Sequence, residues 1–242
     1  MPLWIATTEH ALPTKSNDAV SQMVRINTYG EEFVTGVVGG YSQMVREGAY
    51  FKAINPTFNT AIAWNAATAT AFNELQGSLC IRNSHPDGGP HIILDYIRFQ
   101  LVTAGTAATN INCVIQVDNS IRHSNPAATN IMQIFNVNSG QETDSGAICT
   151  IGALGFNGAL TSKKLSTHAF AMKTTAPAIN DVFFLNFGPV RSNAGIAGTT
   201  YARDCGMVAL PPGGYHSFLM HIFSTSQTAA PTVFCEIGFF ER

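Results

Sequence analysis

Ile111-Asn112-Cys113-Val114-Ile115-Gln116-Val117-Asp118 is the stretch whose reading decides the fold. Ile111, Cys113, Ile115 and Val117 are apolar and alternate with Asn112, Val114, Gln116 and Asp118, the period of two that marks a strand with one buried face. Near the C-terminus the pattern returns, with Val233, Cys235, Ile237 and Phe239 set against Thr232, Phe234, Glu236 and Phe240. Helical periodicity is nearly absent between them.

Working outward, Gly77 to Arg82, Ile92 to Val102, Asn130 to Val137, Ala169 to Lys173, Val182 to Phe187 and Tyr215 to Ser224 are rich in β-branched and aromatic residues and read as further strands. About eight strands result. Turns between them are signalled by Pro86-Asp87-Gly88-Gly89, Asn138-Ser139-Gly140, Asn157-Gly158 and Pro211-Pro212-Gly213-Gly214, which fix φ or accept positive φ. The connections are unequal in length, which suits the crossovers of an antiparallel two-sheet sandwich of jelly-roll type better than an up-and-down barrel. The expectation is an all-β body over residues 51–242.

Residues 1–50 differ in character, with scattered charges, Gly30, Gly36, Gly39 and Gly40, and short apolar pairs. They read as an extended N-terminal arm. Ser21-Gln22-Met23-Val24-Arg25 recurs unchanged as Ser42-Gln43-Met44-Val45-Arg46, suggesting two similar short strands. Such an arm cannot bury its own apolar residues, so Trp4, Phe33, Val37, Val38 and Tyr41 are expected to pack on the body or on a partner.

Composition narrows the function. Net charge is −2 and charged residues are 12% of 242, about half the share of an ordinary domain. Ala53 to Asn73, Phe99 to Val117 and Cys205 to Cys235 hold no Asp, Glu, Lys or Arg. Basic residues do not cluster beyond Lys163-Lys164, which argues against nucleic acid as a partner. A surface this poor in charge fits one covered by neighbouring subunits. No apolar run approaches the roughly 20 residues of a membrane span, and no leader pattern opens the chain, so a soluble protein of the cytosol, without a membrane partner, is expected. Five widely spaced cysteines, Cys80, Cys113, Cys149, Cys205 and Cys235, suggest neither a disulfide framework nor a zinc site.

Motifs for catalysis or cofactors are missing from the sequence, and neither a metal nor a cofactor is expected. His216 and His221 are five residues apart, hence on opposite faces of a strand, and no HExxH pattern occurs. His85 and His91 flank a turn. Gly-x-Ser-x-Gly is absent, and Cys205 follows Asp204, an acidic neighbour that disfavours a thiolate. Gly36-x-x-Gly39-Gly40 lacks the Lys-Ser/Thr of a phosphate loop. The acids Asp95, Asp118, Glu142, Asp144, Asp181, Asp204, Glu236 and Glu241 fall mostly at strand ends or turns and read as solvated residues, not as a hydrolytic pair. For glycan stacking the candidates are Trp64, Tyr201 and Tyr215, in or near expected loops.

One stretch carries a resemblance. Leu210-Pro211-Pro212-Gly213-Gly214-Tyr215-His216-Ser217-Phe218-Leu219-Met220-His221-Ile222-Phe223, the loop Ser224 to Ala230, and Glu236-Ile237-Gly238-Phe239-Phe240-Glu241-Arg242 resemble the ending of tailed-bacteriophage virion structural proteins. Those similar in outline are jelly-roll capsid decoration (cement) proteins. The resemblance spans roughly the last 35 residues. It implies a non-enzymatic protein of the capsid surface, made in the host cytoplasm, that binds the major capsid protein as a homo-oligomer, with a trimer the expected state. Trp4, Phe33, Val37, Val38 and Tyr41 would then be the capsid-binding anchors of the arm. The alternative is a head-fibre or receptor-binding module that recognises host-surface glycans.

Overall fold

The computed structural model describes residues 23–26, 32–35, 45, 47–119, 130–138, 144–155, 164–188, 200–214 and 216–242. Two compact units divide the chain, Met1–Arg46 and Glu47–Arg242. In the first, β1 (Met23–Ile26) pairs antiparallel with β2 (Glu32–Thr35), placing Phe33 opposite Arg25. Met23, Val24 and Arg25 of the first five-residue copy are thus in a strand, whereas Val45 of the second copy is not. Trp4, Val37, Val38 and Tyr41 lie outside the described residues.

The second unit is an all-β sandwich. Its five-stranded sheet runs in the order β10 (Lys164–Lys173), β7 (Ile111–Asp118), β14 (Ser217–Phe223), β5 (Gln76–Asn83), β9 (Ala147–Gly155). The larger sheet is ordered β12 (Thr200–Asp204), β11 (Val182–Asn186), β6 (Ile92–Thr103), β15 (Thr232–Glu241), β3 (Tyr50–Ile54), β8 (Gln133–Asn136). Short strands β13 (Ala209–Leu210) and β4 (Ile62–Ala63) pair with β6 and β15.

The pairing is nested: β3 with β15, β5 with β14, β6 with β11, β7 with β10. First strand meets last and second meets second-last, so the chain behaves as one long antiparallel ribbon wrapped around a core. This is jelly-roll connectivity. All the expected strands form. In the sandwich, β3, β4, β9, β12 and β13 are additional: β9 is built from Ala147-Ile148-Cys149-Thr150-Ile151-Gly152-Ala153-Leu154-Gly155, whose small residues mute its alternation. At Gly152, φ is 114° and an added Cβ would lie 2.8 Å from the Asn130 amide nitrogen, so only glycine fits. The β12 edge departs from antiparallel order by pairing parallel to β11.

Between the sheets lies one apolar core, including Phe51, Phe99, Phe183, Phe187, Phe218 and Phe239. Inward residues recur at every second position, as in Ile97, Phe99 and Leu101 of β6 and Val233, Cys235, Ile237 and Phe239 of β15. The insertion holding β8 and β9 spans one side of the sandwich. There β8 pairs with β3, β9 pairs with β5, and Ile131 bridges Thr150.

Candidate interaction surface

Alternation puts the remaining side chains on the two outer faces. On the larger sheet, one row across the strands reads Phe135, Lys52, Gly238, Tyr96, and the next reads Ile54, Glu236, Arg98, Phe184. Glu236 organises the centre. It accepts a hydrogen bond from Lys52 Nζ at 2.7 Å and another from the Tyr96 hydroxyl, with Arg98 Nη1 3.8 Å away. Partial burial alone would raise the Glu236 carboxyl, but the hydrogen bonds from Lys52 and Tyr96, with the Lys52 and Arg98 charges, hold it below the usual carboxylate range.

Aromatic rings stiffen this face. Tyr96 stacks on Phe184 with centroids 5.3 Å apart, and Tyr50 tilts against Phe240 at 4.7 Å. Both tyrosines lean over Gly238, where a Cβ would strike the Tyr50 hydroxyl and the Tyr96 ring. The Tyr50 hydroxyl donates to the buried Asp95 at 2.8 Å.

The β3–β4 loop presents an apolar residue beside this network. Asn55 is buried, donates to the carbonyls of Thr60 (2.8 Å) and Val233 (3.0 Å), and accepts from the Cys235 amide (2.7 Å). That clamp ties the loop to β15. Asn59 completes the turn at φ 60°, a conformation asparagine tolerates. Phe58 stands at its tip, 75% exposed, above a groove of about 230 Å³ lined by Ile54, Phe234, Arg98 and Glu236. On β8, Phe135 is 51% exposed on the same sheet face. Neither phenylalanine was among the sequence candidates. Their signals were a phenylalanine inside the turn-forming Asn55-Pro56-Thr57-Phe58-Asn59-Thr60, and a strand whose polar phase carries Phe135.

The outer face of the five-stranded sheet is different. Its central row, Thr150, Cys80, Leu219, Gln116, is withdrawn from solvent throughout, with Leu219 fully buried. Cys80, Leu154 and Leu219 form a small apolar cluster there.

Several sequence candidates change status. Trp64 is in the core, 1% exposed, against Phe99 and Phe183, so it offers no face to a sugar. Its neighbours along the loop are small and polar, which disguised a core residue as a loop aromatic. Tyr201 is half-buried, its ring stacked on Phe183 (5.3 Å) with Lys173 Nζ 5.3 Å from the centroid. Tyr215 lies outside the described residues. The acids are corrected too: Asp95, Asp118, Asp181 and Glu241 are buried rather than solvated. Asp181 takes the Lys173 ammonium at 2.6 Å and the Ala178 amide at 2.7 Å, while Glu241 takes Ser145 at 2.5 Å and His85 at 2.9 Å. Pairing is what makes their burial tolerable.

All five cysteines are free thiols. Burial pushes Cys205 up to about 11, with Arg203 opposing and Asp204 adding to the rise, an inert setting for a thiol. His221 is buried, its Nδ1 2.9 Å from the Gln76 carbonyl and its ring edge-on to Phe72. Among the described residues, no three His, Cys, Asp or Glu side chains converge to hold a metal ion, and no helix is long and apolar enough to cross a membrane. No protein-family model, no curated protein and no solved structure matches the chain.

Proposed function

We propose that this chain is a non-enzymatic structural virion protein, a capsid decoration protein that bridges subunits of the major capsid protein and works as a homo-oligomer, with a trimer the expected state. The observation that carries the reading is the outer face of the larger sheet, where Phe58 and Phe135 stand exposed beside a fixed network of Lys52, Glu236, Arg98 and Tyr96. Exposed aromatics around an ordered polar centre are the make-up of a contact surface. Sparse charge and the resemblance of the C-terminal stretch to phage virion proteins support the same reading. Its action is mechanical: each copy adds contact area between shell subunits and opposes the outward push of packaged DNA. A standard interface buries about 1,600 Å² in total, and repetition over a shell multiplies modest contacts.

The glycan-binding alternative, a head-fibre or receptor-binding module, relied on Trp64, Tyr201 and Tyr215. With Trp64 in the core and Tyr201 engaged by Phe183 and Lys173, no described residue of that set has a free ring for a sugar.

The test is co-sedimentation with expanded phage shells stripped of accessory proteins, using the full chain, a variant lacking residues 1–46, and Phe58→Asp/Phe135→Asp. Saturable binding by the full chain, weakened in either variant, is expected. A full chain that ignores shells and is retained by a host-surface polysaccharide would replace this reading with the alternative.

A further inference from the structure

Lys173 and Asp181 meet where β10 ends in one sheet and β11 begins in the other. A bulge delivers the lysine. Phe170 pairs with Cys113 and Ala171 with Asn112, but the residue matched next, to the core residue Ile111, is Lys173 rather than Met172. The extra residue turns Lys173 out of the solvent phase, so that it joins Met172 on the inner side. Backbone hydrogen bonds fix the carboxylate. Asn180 takes φ 68° and donates its amide to the Leu101 carbonyl, the Leu101 amide donates to the Asp181 carbonyl, and the Asp181 amide closes on Ala178.

Both side chains are withdrawn from water, at 7% and 0% exposure. Lys173 Nζ lies 2.6 Å from Asp181 Oδ2, which also accepts the Ala178 amide at 2.7 Å. Oδ1 is buried with no hydrogen-bond partner among the described residues. A buried ion pair is stabilising only when its remaining lone pairs are satisfied, and this one leaves an oxygen bare. The contact to Oδ2 also holds the amine about 3 to 3.5 Å from the carboxyl carbon, the separation of atoms placed to react. Burial disfavours the ammonium, but its hydrogen bonds to Asp181 and Tyr201 hold it above the usual lysine value, so the unreacted pair rests as ions.

We infer that Lys173 and Asp181 condense to an amide in the folded chain, a covalent staple between β10 and the start of β11. The ammonium passes one proton to the carboxylate, and Nζ then attacks Cγ while the Ala178 amide holds the negative charge on Oδ2. Oδ1 leaves as water, carrying that proton and a second from Nζ. The Cγ–Oδ1 bond breaks, the Cγ–Nζ bond forms, and net charge is unchanged without any oxidant, reductant or co-reactant. Groups fixed by the fold react at effective concentrations of about 10⁵ M or more, which offsets the scarcity of the neutral pair. The inference is independent of the capsid reading, since it concerns how the two sheets are joined and not what the outer face meets.

Intact-mass spectrometry of the full chain, stored folded and unfolded just before injection, tests it. The mass should fall one water, about 18 Da, below that expected from the sequence. Lys173→Arg, which keeps the charge but cannot form the amide, and Asp181→Ala should each show no such loss, whether or not they fold. In wild type, trypsin should fail to cut after Lys173, and the peptide spanning Lys173 and Asp181 should carry the missing water. A full-mass wild type with Lys173 open to trypsin would overturn the proposal and leave an ion pair. So would a loss of water that persists in Lys173→Arg, which would place the dehydration elsewhere in the chain.

Discussion

The two outer faces of the sandwich are built by the same alternation and end in opposite conditions. On the five-stranded sheet the row Thr150, Cys80, Leu219, Gln116 is buried, so apolar side chains in the outer phase are already satisfied. On the larger sheet the corresponding rows bury Tyr96 and Gly238 but carry a part-exposed ion network of Lys52, Glu236 and Arg98, with Phe135 half-exposed beside it and Phe58 exposed on the adjoining loop. Burial of Leu219 contributes to folding. The exposed phenylalanines contribute little to it, and a conformation that holds Phe58 out through the three Asn55 hydrogen bonds, two of them buried, makes sense as preparation for a contact.

The largest effect that would break this contrast is on the buried face. Leu219→Ala should cost about 3 kcal/mol in urea denaturation, and Leu219→Asp should prevent folding, because a charge would be buried without a partner. A loss under about 0.5 kcal/mol would place Leu219 on a mobile surface instead. Next in size, Asn55→Ala should cost about 2 to 4 kcal/mol, since it strands the Cys235 amide and the Val233 carbonyl. Amide exchange at Cys235 should accelerate with it.

Glu236 sharpens the comparison through pH. Its folded pKa is lowered, so its stabilising contribution is present above the unfolded value of about 4.3 and is lost as pH falls through the folded value. Wild type and Glu236→Gln should therefore differ at pH 7 and converge as pH drops below that range. The gap should be no more than about 1 kcal/mol, because the pair is half-exposed. A gap that grows in acid would contradict the network. Smallest of all, Phe58→Asp/Phe135→Asp should leave the unfolding free energy within about 0.5 kcal/mol of wild type.

The jelly roll was legible because its ribbon strands announce themselves: β7 and β15 alternate cleanly, and Pro211-Pro212-Gly213-Gly214 marks the approach to β14. What stayed illegible depended on neighbours distant in sequence. Strand β9 is recognisable only once β5 lies beside it, and the parallel seat of β12 follows from β11, not from Thr200–Asp204 itself. Trp64 read as a loop aromatic because the sequence does not show Phe99 and Phe183 closing around it. The acids read as solvated because Lys173, His85 and Tyr50, which make their burial tolerable, come from elsewhere in the chain. Phe58 was hidden by its polar surroundings, although the turn that displays it is written in Asn55, Pro56 and Asn59.

The most direct test of the central claim is light scattering after size-exclusion chromatography of wild type and Phe58→Asp/Phe135→Asp, each alone and mixed with stripped, expanded shells. The account predicts that wild type runs as an oligomer and co-elutes with shells, whereas the variant keeps its fold and loses one or both associations. A wild-type monomer that stays apart from shells, or a variant that assembles and binds like wild type, would contradict it.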